Sequence, residues 1–356
     1  MPDFNREMLI LARECRGLTQ TGLAEEVAMS QAEISKFETG IKVPVEQQVR
    51  RLASYLHFPV EFFYLSESKR DFGSGCLYYH RKRESAREGK LRQLLALVNV
   101  RRIQIKQLLS AVKLKNEYEF ENLDIDEHMG DAGKVAQALR SLWKLPPGPV
   151  QNVIQVIETA GGIILRSDFG TDKIDALSQW LPGLPPVFLI NDKIPTDRMR
   201  WTLVHELGHI VMHRFPTENM EREADQFAAE FLMPADQIRS QLHGITLAKL
   251  ASLKPHWRVA MSALLRRASD LGTVTPRTKQ YLWTQMGMHG YRKYEPVEIP
   301  PEAPTLLKAL LDYHRERLGH DSHDLAKIMR VKESELMEEY LRDGSLGGIR
   351  LLRTVN

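Results

Sequence analysis

The chain has 356 residues, 43% of them hydrophobic and 27% charged, with a formal net charge of +3. That length allows two or three domains with sizeable cores, and the composition excludes a disordered or fibrous protein. The apolar runs are far shorter than the ~18 residues that span a bilayer. The start, MPDFNREMLILARECRG, has no signal-peptide pattern, and Cys15 and Cys76 form no CxxC, so a reducing cytoplasm is expected and a disulfide framework is not.

Residues 5–64 read as short helices joined by tight turns. Apolar positions recur at helical spacing through Met8, Leu9, Leu11 and Ala12, then Leu23, Ala24 and Val27, then Ile34 and Phe37, then Val49, Leu52, Ala53 and Leu56. Thr19 and Ser30 are good N-caps, while Gly17 and Gly40 sit where helices should stop. The order LTQTGLAEEVAMSQAEISKFETG resembles the helix-turn-helix of the phage-repressor-like (XRE) family, carried by Leu18-Thr19-Gln20, Leu23-Ala24, Ser30, Ile34-Ser35, Glu38 and Gly40, with Pro44 after them. One departure is Ala28, where that family often has glycine. A left-handed alanine there costs about 1 kcal/mol. The resemblance implies binding to double-stranded DNA, with the second helix, about residues 30–37, entering the major groove. Gln31, Ala32, Glu33, Ser35 and Lys36 are then the residues near base edges, and Gln20 holds a phosphate or a base. Glu33 keeps open a head used for protein contacts, because an acid facing phosphates is unfavourable.

Residues 66–80 contain Gly73-Ser74-Gly75 and read as a linker. From His80 to Lys106, nine bases stand against two acids, which suits either a phosphate-holding surface or a solvated helix face. The acidic piece EYEFENLDIDEHMGD marks a second boundary. Helices are expected over about 131–144 and 149–160, and strands over 163–166, 176–181 and 187–191. The last, PPVFLIN, has two prolines before it, as suits an edge strand that pairs with an extended peptide.

WTLVHELGHIVMH follows. His205 and His209 are i and i+4, so their rings share a helix face and both reach one zinc at about 2.0–2.1 Å. Glu206 beside them suits the shuttling of a proton from water to a leaving amine. Gly208 is awkward inside a helix, and close approach of another segment is a reason to tolerate it. The alternative is a helix with histidines that only cap or face solvent. Downstream, ENMEREADQFAAEFLMP puts Glu221 and Asp225 again at i and i+4. Glu221 is expected as the third ligand and Asp225 as the acceptor from a ligand histidine, with Glu223 the rival ligand, about 200° around the helix from Glu221. His213 reads as a residue at the substrate or behind the ligands, otherwise structural. Arg198 and Arg200 either stabilise an oxyanion or pair with neighbouring carboxylates.

RMRWTLVHELGHIVMH, EREADQFAAEFLMP and LKPHWRVAMSALLRRASDLGTV, within about residues 130–270, resemble the ImmA/IrrE family of bacterial metallopeptidases. The resemblance implies a zincin-like core, a zinc cofactor held by His205, His209 and an acid in 221–225, Glu206 as acid/base, and site-specific cleavage of a transcriptional repressor in a stress or mobile-element response. In the tail, Leu325-Ala326 and Glu335-Leu336 echo Leu23-Ala24 and Glu33-Ile34 at a constant offset of 302. This suits a degenerate second helix-turn-helix-like bundle used for dimer or partner contacts, with a plain helical cap favoured over it.

The expected fold is therefore mostly α with a small β-sheet (α+β). A five-helix repressor-like domain (1–66) precedes a basic helical linker (67–125), a zincin-like metallopeptidase core (126–275) and a C-terminal helical bundle (276–356). The expected partners are DNA and a protein substrate, with a homodimer left open and no membrane. The alternative is a transcriptional regulator whose zincin-like domain senses a metal, peptide or small ligand without cutting; an antitoxin rests on the head alone.

Overall fold

A computed structural model describes residues 3–69, 88–341 and 352–354. The Gly73-Ser74-Gly75 segment, Cys76 and the bases Arg81, Lys82, Arg83 and Arg87 lie outside the described residues.

The head consists of α1 (Arg6–Cys15), α2 (Gln20–Glu26), α3 (Gln31–Thr39), α4 (Glu46–Leu56) and, where a fifth helix was expected, a 3-10 turn at Val60–Tyr64. Thr19 caps α2. Ser30 and Glu33 form a reciprocal capping box on α3, so two orphan backbone donors are satisfied there. The apolar faces meet in a core that includes Met8, Leu23, Ile34, Phe37, Leu52 and Phe62. Ala28 does adopt the left-handed region, at φ 50°. We expect Ala28→Gly to stabilise the head by about 0.5–1 kcal/mol, since relief of the Cβ clash outweighs the added chain entropy. Native-state hydrogen exchange of the α2 and α3 amides should slow roughly two- to fivefold.

The long helix α5 (Glu88–Leu108) follows. It is a shared spine. Ala96, Val100 and Ile103 enter the head core, Leu91, Leu94, Val98 and Ile105 pack on the sheet, and Leu108 joins the C-terminal core. Its buried arginines are spent on domain contacts. Arg101 bonds the Tyr340 hydroxyl at 2.6 Å and pairs with Glu335 and Glu339, while Arg102 and Lys106 face Glu67. Arg101 and Arg102 are thus buried in contacts between parts of the chain, whereas Lys106 is exposed and meets Glu67 at the surface.

Strand β1 (Val112–Leu114) pairs antiparallel with the terminal β5 (Leu352–Thr354), a contact with no sequence signal at such length. Asp131 caps α6 (Ala132–Leu142), and Asn152 caps α7 (Val153–Thr159). The sheet follows: β2 (Ile163–Ser167), β3 (Ala176–Gln179) and β4 (Val187–Asn191), in the order β2-β4-β3. β4 runs parallel to β2 and antiparallel to β3. The expected edge strand, β4, is thus central. The edge strand β3 is itself buried along its length under α5 and the metal-motif helix, so it offers no open edge to a peptide. Side chains alternate across the sheet. Ile164, Ala176, Phe188 and Ile190 face the peptidase core, while Ile163, Leu165, Leu177 and Leu189 face α5.

The remaining helices are α8 (Thr196–Met212), α9 (Met220–Leu232), the single turn α10 (Ala235–Ile238), α11 (Leu247–Trp257), α12 (Met261–Asp270), α13 (Pro276–Met288), α14 (Leu306–Glu316), α15 (Ser322–Met329) and α16 (Glu333–Glu339). Two buried acids fasten the C-terminal part. Glu302 accepts from the backbone N–H groups of Val153 and Ile154 at the start of α7 and pairs with buried Arg200, and Glu158 accepts from those of Thr305 and Leu306 at the start of α14. Arg198 pairs with Asp175 at 2.6 Å, so both arginines before the motif act in ion pairs.

The tail repeats the geometry of the head at the offset read from the sequence. Gly17 and Gly319 have φ 71° and 72°, Thr19 and Asp321 cap the next helix, Ala28 and Arg330 are left-handed at 50° and 55°, and Ser30 and Lys332 stand at the next N-cap. The favoured plain cap is therefore corrected to a helix-turn-helix-shaped unit, α14–α16. Its last helix holds Glu333, Glu335, Glu338 and Glu339, which phosphates would repel. Glu335 instead pairs with Arg16 of the head and Arg101 of α5. Among the described residues no helix is long and apolar enough to cross a membrane.

Candidate metal centre and nucleic-acid interface

Helices α8 and α9 pack side by side, with Leu203, Leu207 and Val211 against Phe227, Ala228 and Phe231. They approach closely because residue 208 is glycine: a Cβ there would lie 3.0 Å from Phe227 Cδ1. This is the close approach that explains a helix-weakening residue in the motif.

The packing brings His205, His209 and Glu221 together as a set of three donors. His205 Nε2 and His209 Nε2 are 3.0 Å apart, and Glu221 lies 3.4 Å from each through its two oxygens. Donors on a tetrahedral ion with bonds of 2.0–2.1 Å are separated by roughly 3.3 Å, so this triangle fits one face of such an ion. Glu221 Oε1 is buried yet takes part in no hydrogen bond, as suits an oxygen awaiting a cation.

The atoms behind the ligands set their tautomers. His205 Nδ1 lies 3.1 Å from Asp225 Oδ1, so it carries hydrogen and leaves Nε2 for a metal. His209 Nδ1 faces His213 Nδ1 at 3.0 Å, and His213 Nε2 faces Glu223 Oε2 at 3.0 Å. With His213 donating to Glu223, its Nδ1 accepts from His209, and His209 Nε2 is likewise left with a lone pair. Glu223, the rival ligand, thus stands at the end of a relay, and His213 links it to His209. Arg266 donates to Asp225 Oδ2 at 2.9 Å.

These contacts shape the metal-free electrostatics. Burial alone would lower His205, but the Asp225 and Glu221 carboxylates outweigh it and lift the ring to about 10. Burial dominates at His209 and lowers it to about 4. Burial works to raise Glu221, but the His205 and His209 rings hold it far below the usual carboxylate range. Glu206 is buried, and Ser178 Oγ of β3 donates to its Oε2 at 2.6 Å. Neither Ser178 nor Arg266 was found in the sequence: each reaches the cluster from a separate element, with no spacing rule to mark it.

In the head, Arg13 makes a two-pronged contact with Glu38 at 2.5 and 2.9 Å. Glu38 accepts from Gln20 at 2.7 Å, and Gln20 accepts from Gln31 at 2.8 Å. A buried ion pair therefore aims two of the expected DNA-facing residues. Gln31, Ala32 and Lys36 are exposed and Ser35 is half-buried, as a groove-facing surface requires. Glu33 is half-buried in the first turn of α3. Its carboxylate accepts from the Ser30 backbone and pairs with Lys42 at 3.2 Å; both contacts lower its pKa, and Lys42 partly offsets its charge.

Residues 157–269 match the model of the IrrE N-terminal-like domain, a peptidase domain that implies a metal and a protein substrate, and residues 9–61 match a helix-turn-helix domain, which implies DNA binding. No curated protein matches the chain. The chain therefore joins a helix-turn-helix domain, as in a DNA-binding regulator, to an IrrE N-terminal-like peptidase domain.

Proposed function

We propose that the protein is a DNA-binding regulatory zinc metalloendopeptidase that cleaves a transcriptional repressor or a related regulator at a specific site. The observation that carries this reading is the ordered donor set: two imidazole Nε2 atoms and a carboxylate meeting at one point, beside a buried glutamate. His205, His209 and Glu221 hold zinc, and three protein ligands leave the open position that catalytic sites keep. Bound zinc supplies Lewis acidity that polarises a peptide carbonyl and acidifies water. Glu206, steered by Ser178, takes the proton of the attacking water and returns it to the leaving amine. Asp225 and the His213–Glu223 relay keep the two ligand rings in register. Gln20, Gln31, Ala32, Ser35 and Lys36 form the DNA-facing surface of a domain spanning about residues 1–66, and residues 126–275 form the peptidase.

The test compares cells expressing wild type with cells expressing Glu206→Gln and maps new protein N-termini by mass spectrometry. Cleavage sites present only with wild type support the protease and name its substrate. Identical N-termini, with the activating signal supplied, would instead favour a zinc-containing regulator.

Zinc uptake should also release a proton. His205, lifted to about 10 in the metal-free protein, is protonated at pH 7, whereas His209, at about 4, is already neutral. Metal and proton compete for the same Nε2, so affinity should rise about tenfold per pH unit from neutrality up to the pKa of His205. Calorimetric titrations at pH 7 in buffers of different ionisation enthalpy should report about one proton released per zinc. A buffer-independent heat would contradict this charge state.

A further inference from the structure

A cavity of about 1280 Å³ lies between the first half of α8, α12, α13 and residues 291–299. It exceeds the roughly 300–1,000 Å³ of small-molecule pockets, which suits a segment of a protein. Several of its charges already have partners, with one acid in excess around buried Lys254. Lys254 Nζ lies 2.6 Å from both Asp197 and Glu295, and Arg198 pairs with Asp175. Three further cations on the lining, Lys279, Arg292 and Lys293, have no carboxylate partner among the described residues. Glu298 is the lining acid left without an ion pair among them. Against Glu298 and the second carboxylate on Lys254, these three cations leave a small positive excess, set among Trp201, Trp283, Tyr291 and Tyr294, with Arg292 stacked 5.2 Å over Trp283.

The cavity adjoins the metal cluster. Arg266 lies on its lining and holds Asp225, which holds His205. The cluster itself is partly open: the side chains of Glu221 and Asp225 are each 27% exposed, whereas Glu206 and His209 are buried. Arg266 Nη2 lies 2.9 Å from Asp225, so a polypeptide seated in the cavity lies beside the cluster. α13 and residues 291–299, one wall of the cavity, lie beyond residues 157–269, the span that matches the peptidase domain.

We infer that the cavity is the docking pocket for an acidic segment of the protein substrate, which its cations hold while the neighbouring bond lies at the metal cluster. This rests on the protease reading above. The test uses full-length, zinc-loaded Glu206→Gln protein and a fluorescein-labelled glutamate-rich dodecapeptide, with a lysine-rich counterpart as control. Fluorescence anisotropy should show preference for the acidic peptide, weakened by salt. Adding Lys279→Glu and Lys293→Glu should weaken that binding about tenfold and improve binding of the lysine-rich peptide. Equal binding of the two peptides, or binding of the acidic one unchanged by the charge reversal, overturns the pocket assignment. The protease reading is judged separately, by cleavage with wild type. Acidic-peptide binding without cleavage leaves the pocket and removes the protease. Cleavage at sites without nearby acids, unchanged by the charge reversal, does the opposite.

Discussion

Glu206→Gln should lower peptide cleavage by roughly 10²–10⁴-fold, the usual contribution of a general acid/base, while zinc content stays at one per chain. The glutamine keeps the shape of the side chain and can still accept from Ser178, but it takes no proton at neutral pH. The proposed ligands His205, His209 and Glu221 are untouched. Single-turnover cleavage of a substrate identified in cells, paired with elemental analysis of the same preparation, gives both numbers. A variant that cuts as fast as wild type would assign the base elsewhere. A variant that loses zinc would mean that Glu206 is needed to assemble the site.

The second large effect separates two glutamates that sit two residues apart. Glu221→Ala should weaken zinc binding by at least a hundredfold, because one ligand of a zinc site contributes roughly 3 kcal/mol when ~12 kcal/mol is divided among four. Glu223→Ala should cost about tenfold, the lower end of what orienting residues contribute, since Glu223 acts through His213 on His209. Competition with a chromophoric chelator measures both affinities. Equal losses, or a larger one at Glu223, would reverse the ligand assignment.

These two acids mark where reading by spacing ends. The i, i+4 relation of His205 and His209 follows from helix geometry alone and holds in any fold that keeps the helix. Spacing along α9 says that Glu221 and Glu223 point apart, but only the way α9 crosses α8 decides which one meets the histidines. That crossing depends on the contact of Gly208 with Phe227, residues from two elements. The relay through His213 has the same origin. The strands were legible to within two residues because short apolar runs between turn residues are a local signal, whereas their order was not. β4 became central because β3 and β2 both pair with it, and Pro186, read as an edge signal, uses its carbonyl to accept from Ile163 at the start of the β2 ladder.

The tail shows the same division. Four sequence matches at one offset were too few to favour a second helix-turn-helix, because a short echo arises readily among helical segments. The backbone adds glycine 319, the caps and left-handed Arg330, which together specify the shape. The basic segment shows the converse: a run of arginines looks alike whether it meets phosphate, solvent or carboxylates, and in α5 the partners Glu67, Glu335 and Glu339 come from distant parts of the chain.

The sequence by itself determined the helical head, its caps and strained Ala28, the small sheet, and the two histidines with their neighbouring glutamate. All of these rest on contacts within a few residues, where backbone geometry fixes what meets what. Which carboxylate meets the two histidines, the grip of Ser178 on Glu206, the buried state of β3 and the cationic cavity beside the cluster were decided only by the tertiary structure. Each depends on the angle and distance at which separate elements pack, and those are set by the whole core rather than by any one segment.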